Sequence, residues 1–172
     1  MKILGVDQSY TCSGLVVLED RKLLHYEVFK TDKTKKGDLL VTIERASVIA
    51  DHILELATKF NPDVIGIEGL AYCSQGNATR DLAGLYFLII VELLIKKEYD
   101  VEIVAPTAVK RFACGKPEKG KKIDKGDMIN ALPEETRKKF ESLGVKKTTG
   151  LADVADAFWI AKTVEDIRKN KK

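Results

Sequence analysis

GLADVADAFWIA, residues 150–161, sets two carboxylates, Asp153 and Asp156, at the head of an apolar run. A spacing of three puts both on one side of a helix. The residues that follow, Phe158 and Trp159 among them, predict a core helix over 151–168. Like charges held this close repel unless something offsets them. Alone, the pair also fits a simpler role, acidic residues favoured by the dipole at a helix N-terminus.

Two further acids end apolar runs elsewhere. Asp7 closes KILGVD and Glu68 closes DVIGIE. A carboxylate at the end of a buried strand is costly to desolvate. Two such ends together with the Asp153–Asp156 pair point to a site where oxygen ligands gather hard divalent cations. Two cations side by side are a standard means of breaking phosphodiester bonds.

The pattern around these acids predicts the rest of the fold. Residues 2–7, 13–19 and 22–30 are rich in Val, Leu and Ile and read as three strands joined by short turns. After a polar loop at 31–38, apolar residues recur at Leu40, Ile43, Ala46, Ala50, Ile53, Leu54, Ala57 and Phe60, the period of an amphipathic helix over 39–60. Asn61-Pro62 ends it. A strand over 63–68 follows, then the loop GLAYCSQG. Asn77 is the expected N-cap of a helix reaching about Lys97. Its stretch 82–95 is apolar nearly all round and is expected to be covered on several sides. Further expectations are a strand at 101–104, a short helix at 106–113, helical segments at 125–131 and 134–142, and the last helix. Three strands, then helices alternating with strands, predict an α/β fold. Its five-stranded mixed sheet has the first three strands antiparallel, the later ones parallel to the first, and helices on both faces. Asp7 and Glu68 would then end adjacent parallel strands, where open α/β sheets place their sites. The expected organisation is one domain over 1–168 with a basic tail at 169–172.

Composition narrows the function classes. The chain has 172 residues and a net charge of +3. Between Lys110 and Lys125 lie seven basic residues and two acidic ones, so this segment carries +5 on its own. A basic segment on a near-neutral domain suits a polyanionic partner, and equally a solvated loop. Cys12, Cys73 and Cys114 are unpatterned and no C-x-x-C occurs, which argues against a zinc site and for reduced thiols. The opening MKILGVD lacks a signal-peptide layout, and the 82–95 run is too short to span a bilayer. A cytoplasmic protein without membrane attachment is expected.

The segments LGVDQSYTCSG, VIGIEGLAY and GLADVADAFWIA resemble, in order and rough spacing, the three acidic motifs of the RuvC-type Holliday junction resolvases of the RNase H-like superfamily. Gln8-Ser9-Tyr10 departs from the Pro-Gly common there in cellular members and looks more like the bacteriophage branch, which would make the compartment the host cytoplasm. The resemblance implies an RNase H-like nuclease domain. Asp7, Glu68, Asp153 and Asp156 match the metal-binding carboxylates, for two Mg²⁺ per active site with Mn²⁺ able to substitute. It also implies a homodimer that resolves four-way DNA junctions by paired nicks, leaving 5′-phosphate and 3′-hydroxyl ends. The apolar 82–95 helix independently suits a dimer. Lys110 and Lys125 align with basic residues near the scissile phosphate, Lys125 with a part in catalysis. Lys119, Lys121 and Lys122 are interchangeable candidates for backbone contact. Tyr72 is the candidate for the aromatic that stacks on bases near the crossover; packing against the next helix is the alternative.

Three competing functions fit less well. Another RNase H-like nuclease would cut RNA in hybrids or other branched DNA, and the C-terminal D-x-x-D pair argues against a hybrid-cleaving ribonuclease. An actin-like nucleotide-binding protein would need a Gly-rich phosphate loop where Gln8-Ser9-Tyr10 stands. A catalytically silent junction-binding protein would not need all four carboxylates.

Overall fold

Strand β1 (Lys2–Asp7) sends Ile3, Gly5 and Asp7 to one face of the sheet and Leu4 and Val6 to the other, as strand geometry requires. The computed structural model of the chain describes residues 1–32, 38–70 and 77–171, apart from the side chains of residues 77 and 78. β2 (Cys12–Glu19) pairs antiparallel with β1, and β3 (Lys22–Lys30) pairs antiparallel with β2. β4 (Val64–Glu68) and β5 (Val101–Val104) add parallel strands on the other side of β1. The strand order is β3-β2-β1-β4-β5. β1, β2 and β4 are buried on both faces, which is why they read as continuous apolar runs.

One face is covered by α1 (Leu39–Phe60) and α2 (Asn77–Ile90). Asp38 caps α1 by accepting from the backbone N–H groups of Leu40 and Val41. The other face is covered chiefly by α6 (Leu151–Asn170), with α3 (Pro106–Cys114), α4 (Lys125–Asn130) and α5 (Glu134–Glu141) beside it. Phe158 and Trp159 lie in this core, and Trp159 Nε1 donates to the Met128 carbonyl at 2.9 Å.

α6 lies close to the sheet because glycines face it. Gly5 and Gly66 are register partners, and a Cβ on Gly5 would stand 2.2 Å from the Ala157 carbonyl oxygen. A Cβ on Gly14 would stand 2.0 Å from that of Asp153. These glycines are required by close approach of backbone to backbone.

Three expectations need correction. Only the inner side of the 82–95 stretch is covered: Leu85, Tyr86, Ile89 and Leu93 are buried, while Phe87 (60% exposed), Val91, Leu94 and Ile95 (67%) face outward. Its last part, Val91–Lys96, is a π-helical segment. Leu40 (72% exposed) and Ile43 belong to the apolar pattern of α1 but stand outside the core, which begins at Ala46. The last helix runs to Asn170, past the expected end, and the supposed tail is engaged: Lys169 pairs with Glu165 and Lys171 with Glu102. Cys12 is buried and unpaired and Cys114 half-buried; Tyr72, Cys73 and the capping side chain of Asn77 lie outside the described residues. Among the described residues no helix is long and apolar enough to cross a membrane.

Candidate active site

The register of the sheet brings the acids together. Val6 is level with Ile67 on the parallel neighbour, so Asp7 and Glu68 follow at the same height. Both point to the α6 face, since Gly5 and Gly66 one alternation earlier do. Asp7 is the partner of Gly14, over which the first turn of α6 passes. Asp153 and Asp156 therefore arrive beside Asp7 and Glu68. All four line one pocket of about 390 Å³, together with Gln8, Lys110, Asp124 and Lys125.

The four carboxylates are not equivalent. Asp153 is buried, and both its oxygens are engaged: Oδ2 accepts from the Gly150 backbone N–H at 2.7 Å and Oδ1 from Lys125 Nζ at 3.2 Å. The helix-terminal role that its position suggested is thus realised, alongside its place in the pocket. Lys125 is set in place by a capping box in which Asp124 and Asp127 each accept from the other's backbone N–H at 2.9 Å.

Burial and crowding raise the pKa values of the other three acids. Asp7 is pushed well above the ordinary carboxylate range, first by burial and then by the charges of Asp156, Glu68 and Asp153. Glu68 is pushed up to about 7 by burial and Asp156, against the pull of Lys110 and Lys125. Asp156 is raised to about 6 by burial, with Asp153 adding to it and Lys125 and Lys110 opposing. Burial would weaken the Lys125 ammonium, but Asp153, Asp156 and Asp7 outweigh it and hold the proton more firmly. The Cys12 thiol, buried next to Asp153, is pushed up to about 12 and is no nucleophile.

This lining suits a hard cation. Five carboxylates face two ammonium groups around the pocket, and the surplus is negative. One neutral oxygen, Gln8 Oε1, is buried with no hydrogen-bond partner among the described residues. Among those residues, no three acidic, cysteine or histidine side chains already close on one point as a finished metal site would. The carboxylates share a pocket without converging, as mutually repelling groups do.

The basic candidates separate into two sets. Lys110 and Lys125 line the acidic pocket, whereas Lys119, Lys121 and Lys122 do not. Lys121 and Lys122 border a neighbouring groove of about 1020 Å³ with Arg111 and Phe112, which meets the acidic pocket at Lys110. Lys121 pairs with Glu118 at 2.6 Å, and Lys119 is exposed in the turn between them. Two pocket residues escaped the sequence pattern. Gln8 could have been flagged as a polar side chain directly after the acid that ends β1. Asp124 was hidden as one acid among many lysines.

No protein-family model matches this sequence, and no curated protein matches it. Solved structures do. Thermus thermophilus RuvC, in complex with a Holliday junction substrate, is 22% identical with a TM-score of 0.69, covering 99% of this chain and 96% of its own. The yeast mitochondrial Holliday junction resolvase Ydc2 is 16% identical with a TM-score of 0.66, over 98% of this chain and 82% of that one. Fowlpox virus resolvase, solved with Holliday junction DNA, is 16% identical with a TM-score of 0.57 over the whole of both chains. With its mixed five-stranded sheet, this chain has the RNase H-like fold of the RuvC-type Holliday junction resolvases.

Proposed function

We propose that this protein is a divalent-cation-dependent endonuclease that resolves four-way DNA junctions, leaving 5′-phosphate and 3′-hydroxyl ends. The observation that carries this is the pocket in which Asp7, Glu68, Asp153 and Asp156 meet Lys110 and Lys125. The junction-bound RuvC and fowlpox resolvase structures, which share its fold, support the choice of substrate.

Asp7, Glu68 and Asp156, with Asp153, would hold two Mg²⁺ or Mn²⁺ ions. Such ions would supply Lewis acidity to the phosphodiester. The chain's own contribution is to select and orient the DNA. Lys110 and Lys125 would take the charge of the scissile phosphate, Lys125 exchanging Asp153 for a phosphate oxygen. Lys119, Lys121 and Lys122 would follow the backbone away from the cut, and Tyr72 would stack on a base near the crossover. The protein would act as a single domain in the cytoplasm, that of a host cell if the chain is of phage origin.

Labelled four-way, three-way, nicked and linear DNA and an RNA–DNA hybrid, each incubated with Mg²⁺, test the substrate. Symmetric cuts confined to the four-way junction are expected. Preferential cutting of the hybrid, or no cation-dependent cutting of any substrate, would overturn the proposal.

A homodimer completes it. Phe87, Val91, Leu94 and Ile95 expose an apolar face on α2 and its π-helical continuation. An exposed face of this kind is characteristic of an interface. Two-fold pairing would set two pockets on one surface, matching the symmetry of the strands to be cut. Light scattering at micromolar concentration should give twice the chain mass of 19.1 kDa, and Phe87→Glu should return it to one. A wild-type monomer that still makes paired cuts would defeat this part.

A further inference from the structure

We infer that Gln8 supplies a neutral oxygen ligand to the cations of the acidic pocket, and so is a fifth member of the binding set beside the four carboxylates. The inference rests on the cation-dependent reading of that pocket and adds an uncharged residue to the four acids.

Gln8 is 7% exposed and lines the pocket directly after Asp7. Its amide orientation follows from its neighbour. The group at 3.0 Å is the backbone carbonyl of Glu68, which can only accept, so the amide nitrogen must face it. Oε1 is left over, buried and without a partner among the described residues. A buried amide oxygen left unpaired is unfavourable. Lys125, one of the two lysines lining the pocket, is committed to Asp153 at 3.2 Å. Amide oxygens are ordinary ligands for Mg²⁺ and Ca²⁺, directly or through a coordinated water.

The surrounding chain holds Gln8 in place. Ser9 N–H donates to Ser13 Oγ at 3.1 Å and Ser13 Oγ donates back to the Ser9 carbonyl at 2.9 Å, closing the turn just after it. One side chain thus ties the end of β1 to the end of β4, the two strands that present Asp7 and Glu68. A neutral oxygen adds coordination without adding to the repulsion among the acids.

The test is Mn²⁺ affinity, read by electron paramagnetic resonance titration and by the cation-dependent rise in Tm, neither of which needs DNA cleavage. Gln8→Met keeps the length and removes the oxygen. It should weaken Mn²⁺ binding about tenfold, the scale seen when metal-site partners are lost. Gln8→Glu keeps an oxygen but loses the amide donor to Glu68, and should bind at least as tightly as wild type. If Gln8 merely pins Glu68, the two variants will weaken binding equally, and the inference fails. Wild-type affinity in Gln8→Met overturns it as well. Should Gln8→Met not fold, Gln8→Glu decides alone, since binding weaker than wild type would overturn the inference. Asp7→Asn is the reference: if it leaves Mn²⁺ binding intact, the cation pocket itself is misassigned. If it abolishes binding while Gln8→Met does not, only the role of Gln8 falls.

Discussion

Asp7→Asn should reduce junction cleavage by about three orders of magnitude while leaving junction binding within a few-fold of wild type. The substitution removes one anionic oxygen from the floor of the pocket and leaves Lys110, Lys125 and the basic 110–125 segment untouched. The same variant should be more stable than wild type when cations are absent. Burial and three neighbouring carboxylates raise the Asp7 pKa, so its ionised form opposes folding. While folded and unfolded chains both keep the proton, below the ordinary carboxylate range, this penalty is absent. It grows as pH rises through that range, because the unfolded chain gives up the proton first. The Tm advantage of Asp7→Asn should therefore open between about pH 4 and neutrality and shrink when Mg²⁺ is added to both proteins. Calorimetry with EDTA and with Mg²⁺ gives the comparison. Wild-type cleavage by Asp7→Asn would remove the pocket from consideration as the active site.

Gly14→Ala should be the most damaging single-methyl change at the site. The added Cβ would lie 2.0 Å from the Asp153 carbonyl oxygen and 2.7 Å from the Val154 nitrogen, both backbone atoms that cannot rotate away. Either β2 or the first turn of α6 has to move by more than an ångström. Overpacking of this kind costs about 3 kcal/mol, which for a chain of this size lowers Tm by roughly 6–12 °C. The shift also carries Asp153 and Asp156 off their positions, and misplacement on that scale costs about a hundredfold in rate. Gly84→Ala is the control. It lies in α2 with nothing within 4 Å of the new Cβ, and it should stabilise by up to about 1 kcal/mol. Equal Tm values for Gly14→Ala and wild type would refute the close approach of α6 to the sheet.

The contrast between these glycines marks what the sequence could reveal. Asp7, Glu68 and the 153–156 pair were legible because strands and helices have fixed periods and acids at the ends of apolar runs interrupt them. β1 and β2 were legible because burial on both faces leaves few polar positions. The reach of Gly14 toward Asp153 was not, since it depends on two segments 139 residues apart. The exposed side of α2 was hidden for another reason: an all-apolar helix looks the same whether a neighbour covers it or not. Leu40 and Ile43 keep the period of α1 yet stand exposed. Gln8 carried no charge to draw notice; only its burial and its unpaired oxygen do.

The pocket is closed by the first strand and the last helix, and that has a consequence for the newly made chain. As synthesis proceeds, Asp7 and Glu68 leave the ribosome long before Asp153 and Asp156 exist. Until α6 arrives, one face of β1, β2 and β4, with Ile3, Val16, Leu18 and Val64, lacks its chief cover. The helix that completes this core also delivers the last two carboxylates. A chain interrupted before residue 150 therefore lacks both the α6 part of this core and two of the four pocket acids. The four acids first come together only once the segment beyond residue 150 is in place.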